Sequence, residues 1–470
     1  MNRSITLFKR SLIFNSFLVV SGCATLLIVL VSCSIQKQIA KSANEDVLST
    51  KALQTAHIGI SIYDPAEGKY LYNYQGDKYF VPASNTKIPT CYAAMKYLGD
   101  SLVGFRYQIL NDSVLKIRAT GDPTFLHRDF AFQPGFTFLK KYKYVFFTGE
   151  LFSENFLGYG WSWNDYKNAY SAQRSDFPLY GNTVKFKWQN KNSISTEPNI
   201  FLESTAIMEN LNTGFELVKP WEENKFLFLE GNEKSKEVPF RPDLITTNWL
   251  LQDTLGGYVT TSFDKPDFAQ SASISFFKNE KAISISVQPK TQNNKFNNFY
   301  SQPTDSLLKP MMHRSDNFFA EQTLLMVSNE LLGVMNDERI IDTLLKTDFK
   351  DLPQKPRWVD GSGLSRYNLF TPQDFVCILN KMKNEFPMER IKEIFPTGGE
   401  GTLSSYFKTD SNYIFAKTGS LAGVVALSGF LYTKKGRLLI FSTLVNNHQA
   451  SATEVRRAVE KFLEGIRNKY

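Results

Sequence analysis

The run VPASNTKIPTCYAAMKYLGD, residues 81–100, carries a helix and a candidate reactive pair together. A Pro-Ala turn opens it, Ser84 stands where the helix begins, and Lys87 follows three residues later. Ile88, Cys91, Ala94, Met95 and Leu98 then recur at the spacing of one buried helical face. Residues three apart share a helix face, so Ser84 and Lys87 project together from the first turn. A serine hydroxyl is a weak nucleophile until a base takes its proton, and a lysine amine serves once burial or a nearby cation lowers its pKa. The pattern S-x-x-K says little alone. Serine is a common N-cap, and the same spacing recurs at Ser34, Ser113, Ser262, Ser275, Ser306 and Ser405. What distinguishes Ser84 must lie elsewhere in the chain.

Arg3, Lys9 and Arg10 precede an apolar run from Ser11 to Ser32, the pattern of an export signal or an uncleaved anchor. Val20-Ser21-Gly22-Cys23 and Leu30-Val31-Ser32-Cys33 both resemble the lipobox in which a cysteine is lipidated and becomes the first residue. Cys33 is the better candidate, because polar sequence follows it at once, whereas cutting at Cys23 leaves an apolar segment at the new terminus. A plain transmembrane anchor is the alternative. Either way the expected location is outside the cytoplasmic membrane, on the periplasmic side of the envelope and attached to it. Cys91 and Cys377 fall inside apolar helical patterns and read as small buried hydrophobes. The four histidines form no zinc-binding spacing, so neither a metal nor another cofactor is expected. Net charge is +8 with no basic run, which argues against nucleic acid and is compatible with an anionic wall polymer.

Residues 34–55 read as a polar tether running into a helix. His57–Tyr63 and Lys69–Tyr74 read as a hairpin around Asp64-Pro65-Ala66-Glu67-Gly68. After Gly99 the chain turns to short strand-like pieces rich in Gly, Asn, Pro and aromatic residues, so 101–282 is expected to be a mostly β inserted region. Helices are expected again at Thr304–Arg314, Phe318–Leu332 and Thr371–Asn384. Strands follow at Ile414–Thr418, Val424–Tyr432 and Arg437–Asn446, and an amphipathic helix closes the chain with Val455, Val459, Phe462 and Ile466 on one face. The main domain is thus assembled from 56–100 and 283–470.

Two short motifs, each present once, give Ser84 its setting: Ser315-Asp316-Asn317 and Lys417-Thr418-Gly419. The first falls in a break between two helices and the second on a strand. S-x-x-K, then S-D-N, then K-T-G, in that order, is the combination of penicillin-binding proteins and class A β-lactamases. The chain resembles the low-molecular-mass class C penicillin-binding proteins, the exported D-alanyl-D-alanine carboxypeptidases and endopeptidases. The resemblance covers roughly Ala56 to Asn447 and includes Gly121-Asp122-Pro123-Thr124, Trp161-Ser162-Trp163-Asn164-Asp165, Gly181-Asn182, Asp360-Gly361-Ser362-Gly363-Leu364-Ser365-Arg366 and Gly401-Thr402-Leu403.

The resemblance implies an α+β fold of β-lactamase and transpeptidase type, an antiparallel sheet between helices, interrupted by the inserted region. It implies peptidoglycan stem peptides as substrate and β-lactams as covalent inhibitors. Ser84 would be the nucleophile, Lys87 its base, kept neutral partly by the charge of Lys417, and Ser315 the proton donor to the leaving D-alanine. Asn317 would bind the substrate backbone, Lys417, Thr418 and Gly419 the terminal carboxylate, and the N–H groups of Ser84 and Ser420 the oxyanion. Asp165 either lines a pocket for the ammonium of a diaminopimelate side chain or makes a structural salt bridge. Trp161 and Trp163 are expected to pack, Asp360–Arg366 to act as scaffold beside the site, and Pro89 to distort the first turn of its helix. Two other readings use the same residues: a serine β-lactamase, and a wall-binding lipoprotein without catalysis. Against the first, the one candidate deacylating glutamate, in Glu197-Pro198-Asn199-Ile200, precedes Ser315 and so stands in the wrong order.

Overall fold

Five antiparallel strands form the sheet on which the candidate residues hang. The computed structural model describes residues 35–148, 155–190, 193–208, 216–229, 234–262, 272–278, 281–287, 295–409 and 412–470. Cys23, Cys33 and the apolar run 11–32 lie outside the described residues. Among the described residues no helix is long and apolar enough to cross a membrane.

The segment 35–55 packs against the domain instead of forming a polar tether. From residue 35 it forms a helix, α1 (residues 35–43), extended by a wider turn over Asn44–Leu48. Ile39, Ala43, Val47 and Leu53 are buried against the sheet. These apolar residues, spaced at four to six positions among polar ones, are what hold the segment down. Next come β1 (His57–Asp64) and β2 (Lys69–Tyr74). Asp64 Oδ1 closes their turn by accepting from the N–H groups of Ala66 at 2.9 Å and Glu67 at 3.1 Å. A 3-10 turn, Ala83–Thr86, leads into α2 (Lys87–Tyr97). Pro89 has no N–H to give to the carbonyl one turn back, and the change from 3-10 to α winding falls just there. Residues 87–95 are all buried, so α2 is enclosed on every side rather than on the one face its spacing suggests.

The chain leaves this domain at Asp100 and returns at Thr304, whose N–H donates to Asp100 O at 2.9 Å. The inserted region therefore ends at residue 303, not at 282. Asn297–Pro303 pairs with Ser101–Asn111 as the edge of a seven-stranded sheet. Its polar, proline-ended sequence hides a strand whose partner lies near the start of the insertion. The other strands of this sheet, in order from Ser101–Asn111 to the far edge, are Val114–Ala119, Tyr144–Thr148, Tyr258–Ser262, Ala272–Lys278 and Lys281–Val287. Two three-stranded sheets and the helix Leu244–Leu255 complete the region around a phenylalanine-rich core, with Phe105, Phe186, Phe201, Phe226 and Phe228 all buried.

Beyond the insertion run α3 (Asn317–Leu332), α4 (Pro372–Glu385), β3 (Ile414–Leu421), β4 (Val424–Tyr432), β5 (Leu438–Asn446) and α5 (Ala452–Lys469). The sheet order is β3-β4-β5-β1-β2. One face packs on α2, α3 and α4 through Phe80, Ile88, Phe319, Phe375 and Phe430. The other packs on α1 and α5 through Ile60, Phe441, Val459 and Phe462. Two capping boxes fix helix starts, Thr371 with Asp374 on α4 and Ser451 with Glu454 on α5. On α5 Val455, Val459, Phe462, Leu463 and Ile466 are buried, each worth roughly 1.5–3 kcal/mol of transfer from water. That face makes the terminal helix an integral layer of the domain.

Candidate active site

Three backbone elements meet at one end of the sheet: the 3-10 turn before α2, the break before α3, and strand β3. Ser84 is the second residue of the turn and half-buried. Lys87, one turn on, is fully buried and directs its amine back at Ser84 Oγ, 3.0 Å away. Two further atoms face the same nitrogen, Asn317 Oδ1 at 2.6 Å and Ser362 O at 2.8 Å. Both are pure acceptors. A neutral amine satisfies them with its two N–H bonds and turns its lone pair to the Ser84 hydroxyl, which is the arrangement a base requires. Burial holds the pKa of Lys87 down to about 8, while the carboxylates of Asp360, Glu321 and Asp316 pull it upward. Burial is thus the leading cause that favours the neutral form.

The three residues of Ser315-Asp316-Asn317 have separate tasks. Ser315 sits at φ 61°, a left-handed conformation uncommon for serine. Its Oγ accepts from Lys417 Nζ at 2.9 Å. Asp316 caps α3 by accepting from Phe319 N–H at 3.0 Å. Asn317, the first residue of α3, takes Lys87 with its oxygen and donates its Nδ2–H to Tyr170 O at 2.9 Å. Lys417 is fully buried on β3 and also donates to Thr418 O at 2.8 Å. Its pKa lies well below the ordinary lysine value, because of burial first and the neighbouring Lys87 charge second. The two lysines share one dry site, so a single positive charge between them is favoured over two. Thr418 Oγ1 donates to Thr402 Oγ1 at 2.7 Å. Gly419 lets β3 lie against the nucleophile turn: a Cβ there would come within 2.7 Å of Pro82 O and 3.1 Å of Ser84 N.

Ser84, Ser315, Asn317, Ser420 and Asp165 line one cleft of about 570 Å3, together with Gly160, Ser162, Tyr170, Gly363, Leu364, Arg366, Leu421 and Ala422. Asp165 Oδ1 accepts from Tyr170 OH at 2.8 Å, and among the described residues no cation pairs with it. Trp161 packs as expected, buried and donating its Nε1–H to Asp360 Oδ2 at 2.9 Å. Trp163 does not join a core; it is largely exposed, with its ring nearly parallel to that of Tyr166. Glu197 ends a strand of a small inserted sheet, exposed, and is not among the cleft-lining residues.

The segment Asp360–Arg366 is more than scaffold. Ser362 supplies a carbonyl to Lys87, and Gly363, Leu364 and Arg366 line the cleft. Asp360, fully buried, tightens this loop by accepting from Gly363 N–H at 2.8 Å, Ser365 N–H at 2.7 Å and Asn368 Nδ2–H at 2.7 Å. Glu321, one turn along α3 from Asn317, accepts from Ser362 N–H at 2.7 Å. Burial and then the nearby Asp360 raise its pKa to about 7, against the pull of Arg174. Sequence patterns do not mark Glu321 or Tyr170, whereas Ser362 and Arg366 fall within the stretch expected to be scaffold beside the site, without a role for either.

With this geometry in hand, the comparisons are specific. The sequence profile of the D-Ala-D-Ala carboxypeptidase 3 (S13) family matches residues 40–209 and 269–466. The chain belongs to this S13 family. D-alanyl-D-alanine carboxypeptidase DacB of Haemophilus influenzae is 29% identical over 180 residues, 36% of this chain and 37% of that relative, so the match spans little more than a third of it. A D-alanyl-D-alanine carboxypeptidase of an Actinomadura species is 24% identical over 450 residues, 86% of this chain and 80% of its own. Among solved structures, penicillin-binding protein 4 of Haemophilus influenzae superposes with a TM-score of 0.64 at 18% identity, covering 91% of this chain and 98% of that one. The S13 chain therefore has the α+β fold of that penicillin-binding protein.

Proposed function

We propose that this S13 chain is a serine DD-carboxypeptidase and DD-endopeptidase that cleaves peptidoglycan stem peptides through an acyl-enzyme on Ser84. The observation that carries the reading is the placement of the Lys87 amine 3.0 Å from Ser84 Oγ with its other two partners both acceptors. The terminal carboxylate of the substrate lies against Lys417 and Thr418 and draws the shared positive charge to Lys417, leaving Lys87 neutral. Lys87 takes the Ser84 proton as Oγ bonds to the penultimate carbonyl carbon. The oxyanion is met by backbone N–H groups at Ser84 and Ser420, fixed donors that match charge as it develops. Ser315 gives its proton to the leaving nitrogen as the C–N bond breaks and is reprotonated from Lys417. The proton held by Lys87 then passes to Lys417 within the shared site, which restores the neutral base; water attacks the ester carbonyl, and Lys87 takes its proton and returns it to Ser84 Oγ as the ester C–O bond breaks. When the leaving amine is free D-alanine the reaction is a carboxypeptidase step; when it is the D-centred side-chain amine of a cross-link the same atoms perform an endopeptidase step. Asp165 and Arg366 stand in the cleft with opposite charges, a match for the ammonium and carboxylate of a diaminopimelate side chain.

The proposal extends to place: lipid on Cys33 anchors the chain on the periplasmic side of the membrane. The pattern Leu30-Val31-Ser32-Cys33 followed by polar sequence supports this, and incorporation of labelled fatty acid that survives Cys33→Ala would refute it. The activity is tested by mixing protein beginning at Ser34 with benzylpenicillin and following intact mass with peptide mapping. A persistent adduct on Ser84, absent from a folded Ser84→Ala variant, and release of D-alanine from a pentapeptide are expected. Rapid consumption of the drug without an adduct would make the chain a β-lactamase; untouched drug and uncut peptide would leave it a binding protein.

A further inference from the structure

Exposed aromatic residues stand next in the chain to residues that line the cleft and take no part in the chemistry above. Tyr159 is 74% exposed, Trp163 72% and Tyr367 47%. Each is next in the chain to a residue that lines the cleft: Gly160 follows Tyr159, Ser162 precedes Trp163, and Arg366 precedes Tyr367. Tyr159 comes from the inserted region and Tyr367 from the loop after Asp360, yet their ring centroids are 5.4 Å apart with planes 33° from parallel. They form one shelf from two segments.

The shelf is built on held backbone. Gly160 passes so close to Tyr367 that a Cβ there would lie 2.4 Å from the ring. Arg357 Nε donates to Tyr367 O at 2.6 Å. The turn carrying Trp163 is anchored by Tyr166, which is buried, nearly parallel to the indole at 6.4 Å between centroids, and hydrogen-bonded through its hydroxyl to Lys219 O at 2.7 Å. The neighbours are fixed while the outer rings stay open to solvent. Single exposed hydrophobes are ordinary, but two exposed rings in contact, with a third exposed ring one residue from the lining of the same cleft, mark a contact surface. Tyrosine and tryptophan suit a ligand that alternates apolar and hydroxyl-bearing faces.

We propose that Tyr159, Tyr367 and Trp163 form a saccharide-binding shelf that takes the N-acetylhexosamine strand from which the stem peptide hangs. This rests on the proposed function. The scissile end of the peptide lies at Ser84 and its charged side chain at Asp165 and Arg366, so its other end, joined to the sugar, leaves through the mouth. A cleft of about 570 Å3 accommodates a ligand of drug size, here the peptide end. The sugar comes to rest outside, where its C–H faces stack on the rings.

The test compares a disaccharide-linked pentapeptide with the same free pentapeptide, in the wild type and in a Trp163→Ala, Tyr159→Ala double variant. The wild type should cleave the linked substrate with kcat/KM about tenfold higher, and the variant should lose that advantage while its value for the free peptide stays the same. Equal kcat/KM for both substrates in the wild type, or an equal fall on the free peptide, would overturn the proposal. A second arm uses Ser84→Ala protein and N-acetylglucosamine oligosaccharides, reading tryptophan fluorescence. Saturable quenching that disappears with Trp163→Ala supports the shelf even if the wild type cleaves neither peptide, an outcome that sinks the catalytic reading alone. No quenching, or binding to anionic vesicles in its place, refutes the shelf.

Discussion

Replacing Gly363 by alanine adds one methyl group where two parts of the site touch. A Cβ on Gly363 would lie 1.9 Å from Ala83 O and 2.8 Å from Thr86 Oγ1, whereas carbon and carbonyl oxygen ordinarily approach no closer than about 3.3 Å. Relieving the first contact shifts either the turn that carries Ser84 or the loop that carries Ser362 by roughly 1.4 Å. Lys87 bonds to both, so its alignment on Ser84 cannot survive the shift. A misplacement of about 1 Å can cost roughly 100-fold in rate. Gly363 also has φ +82°, where an L-residue carries a further penalty of about 1–2 kcal/mol. Gly436, in the turn between β4 and β5, isolates that second effect: its φ is +77° and a Cβ there meets no heavy atom within 4 Å. The assay is the second-order rate of covalent labelling by benzylpenicillin, read by intact mass beside Tm. Both variants should lose stability, but only Gly363→Ala should slow labelling, by about 100-fold. A folded Gly363→Ala protein that labels at the wild-type rate, or a Gly436→Ala protein slowed as much, would refute the reasoning.

Other consequences follow from the charges of the site. With the pKa of Lys87 held near 8, the free amine is the minor form below that pH, so labelling should rise as pH increases through about 8 and then level; a flat profile from pH 6 to 9 would remove Lys87 as base. Glu321→Gln keeps an acceptor for Ser362 N–H but removes an anion that favours protonated Lys87; the acid limb should move to lower pH, and movement to higher pH would contradict the account. Asp165→Asn should raise KM for diaminopimelate peptides by several-fold, in line with a lost charge-assisted hydrogen bond, and leave a peptide lacking that amine unaffected. Equal loss on both substrates would mark Asp165 as structural.

Much of the arrangement could be read from local patterns. The capping and proline at Thr371-Pro372, the break at Ser315, and the alternation and turns of β1 to β5 depend on neighbours within a few residues, and their boundaries agree closely with the structure. Two of the misses share one cause. The helix 35–43 looked polar because only its spaced apolar residues meet the sheet; Asn297–Pro303 is a strand only because Ser101–Asn111 lies beside it. The helix Asp337–Lys346 is a different case, since its Asn336 cap and its apolar face of Ile340, Ile341 and Leu344 are local signals. Ser362 contributes a main-chain carbonyl, which no residue type encodes.

By itself the amino-acid sequence determined the chemical inventory: a serine and a lysine three residues apart, an S-D-N break and a K-T-G strand, in an order that singles out Ser84 among the S-x-x-K repeats. Only the tertiary structure decided the state of that inventory. Lys87 and Asn317 are 230 residues apart in the chain and 2.6 Å apart in space, and the burial that lowers the Lys87 pKa comes from α3 and the 360–366 loop closing over α2. Desolvation and hydrogen-bond direction are properties of what surrounds a group in three dimensions, so the residue could be named from the sequence, but the setting that suits it to act as a base is a property of the fold.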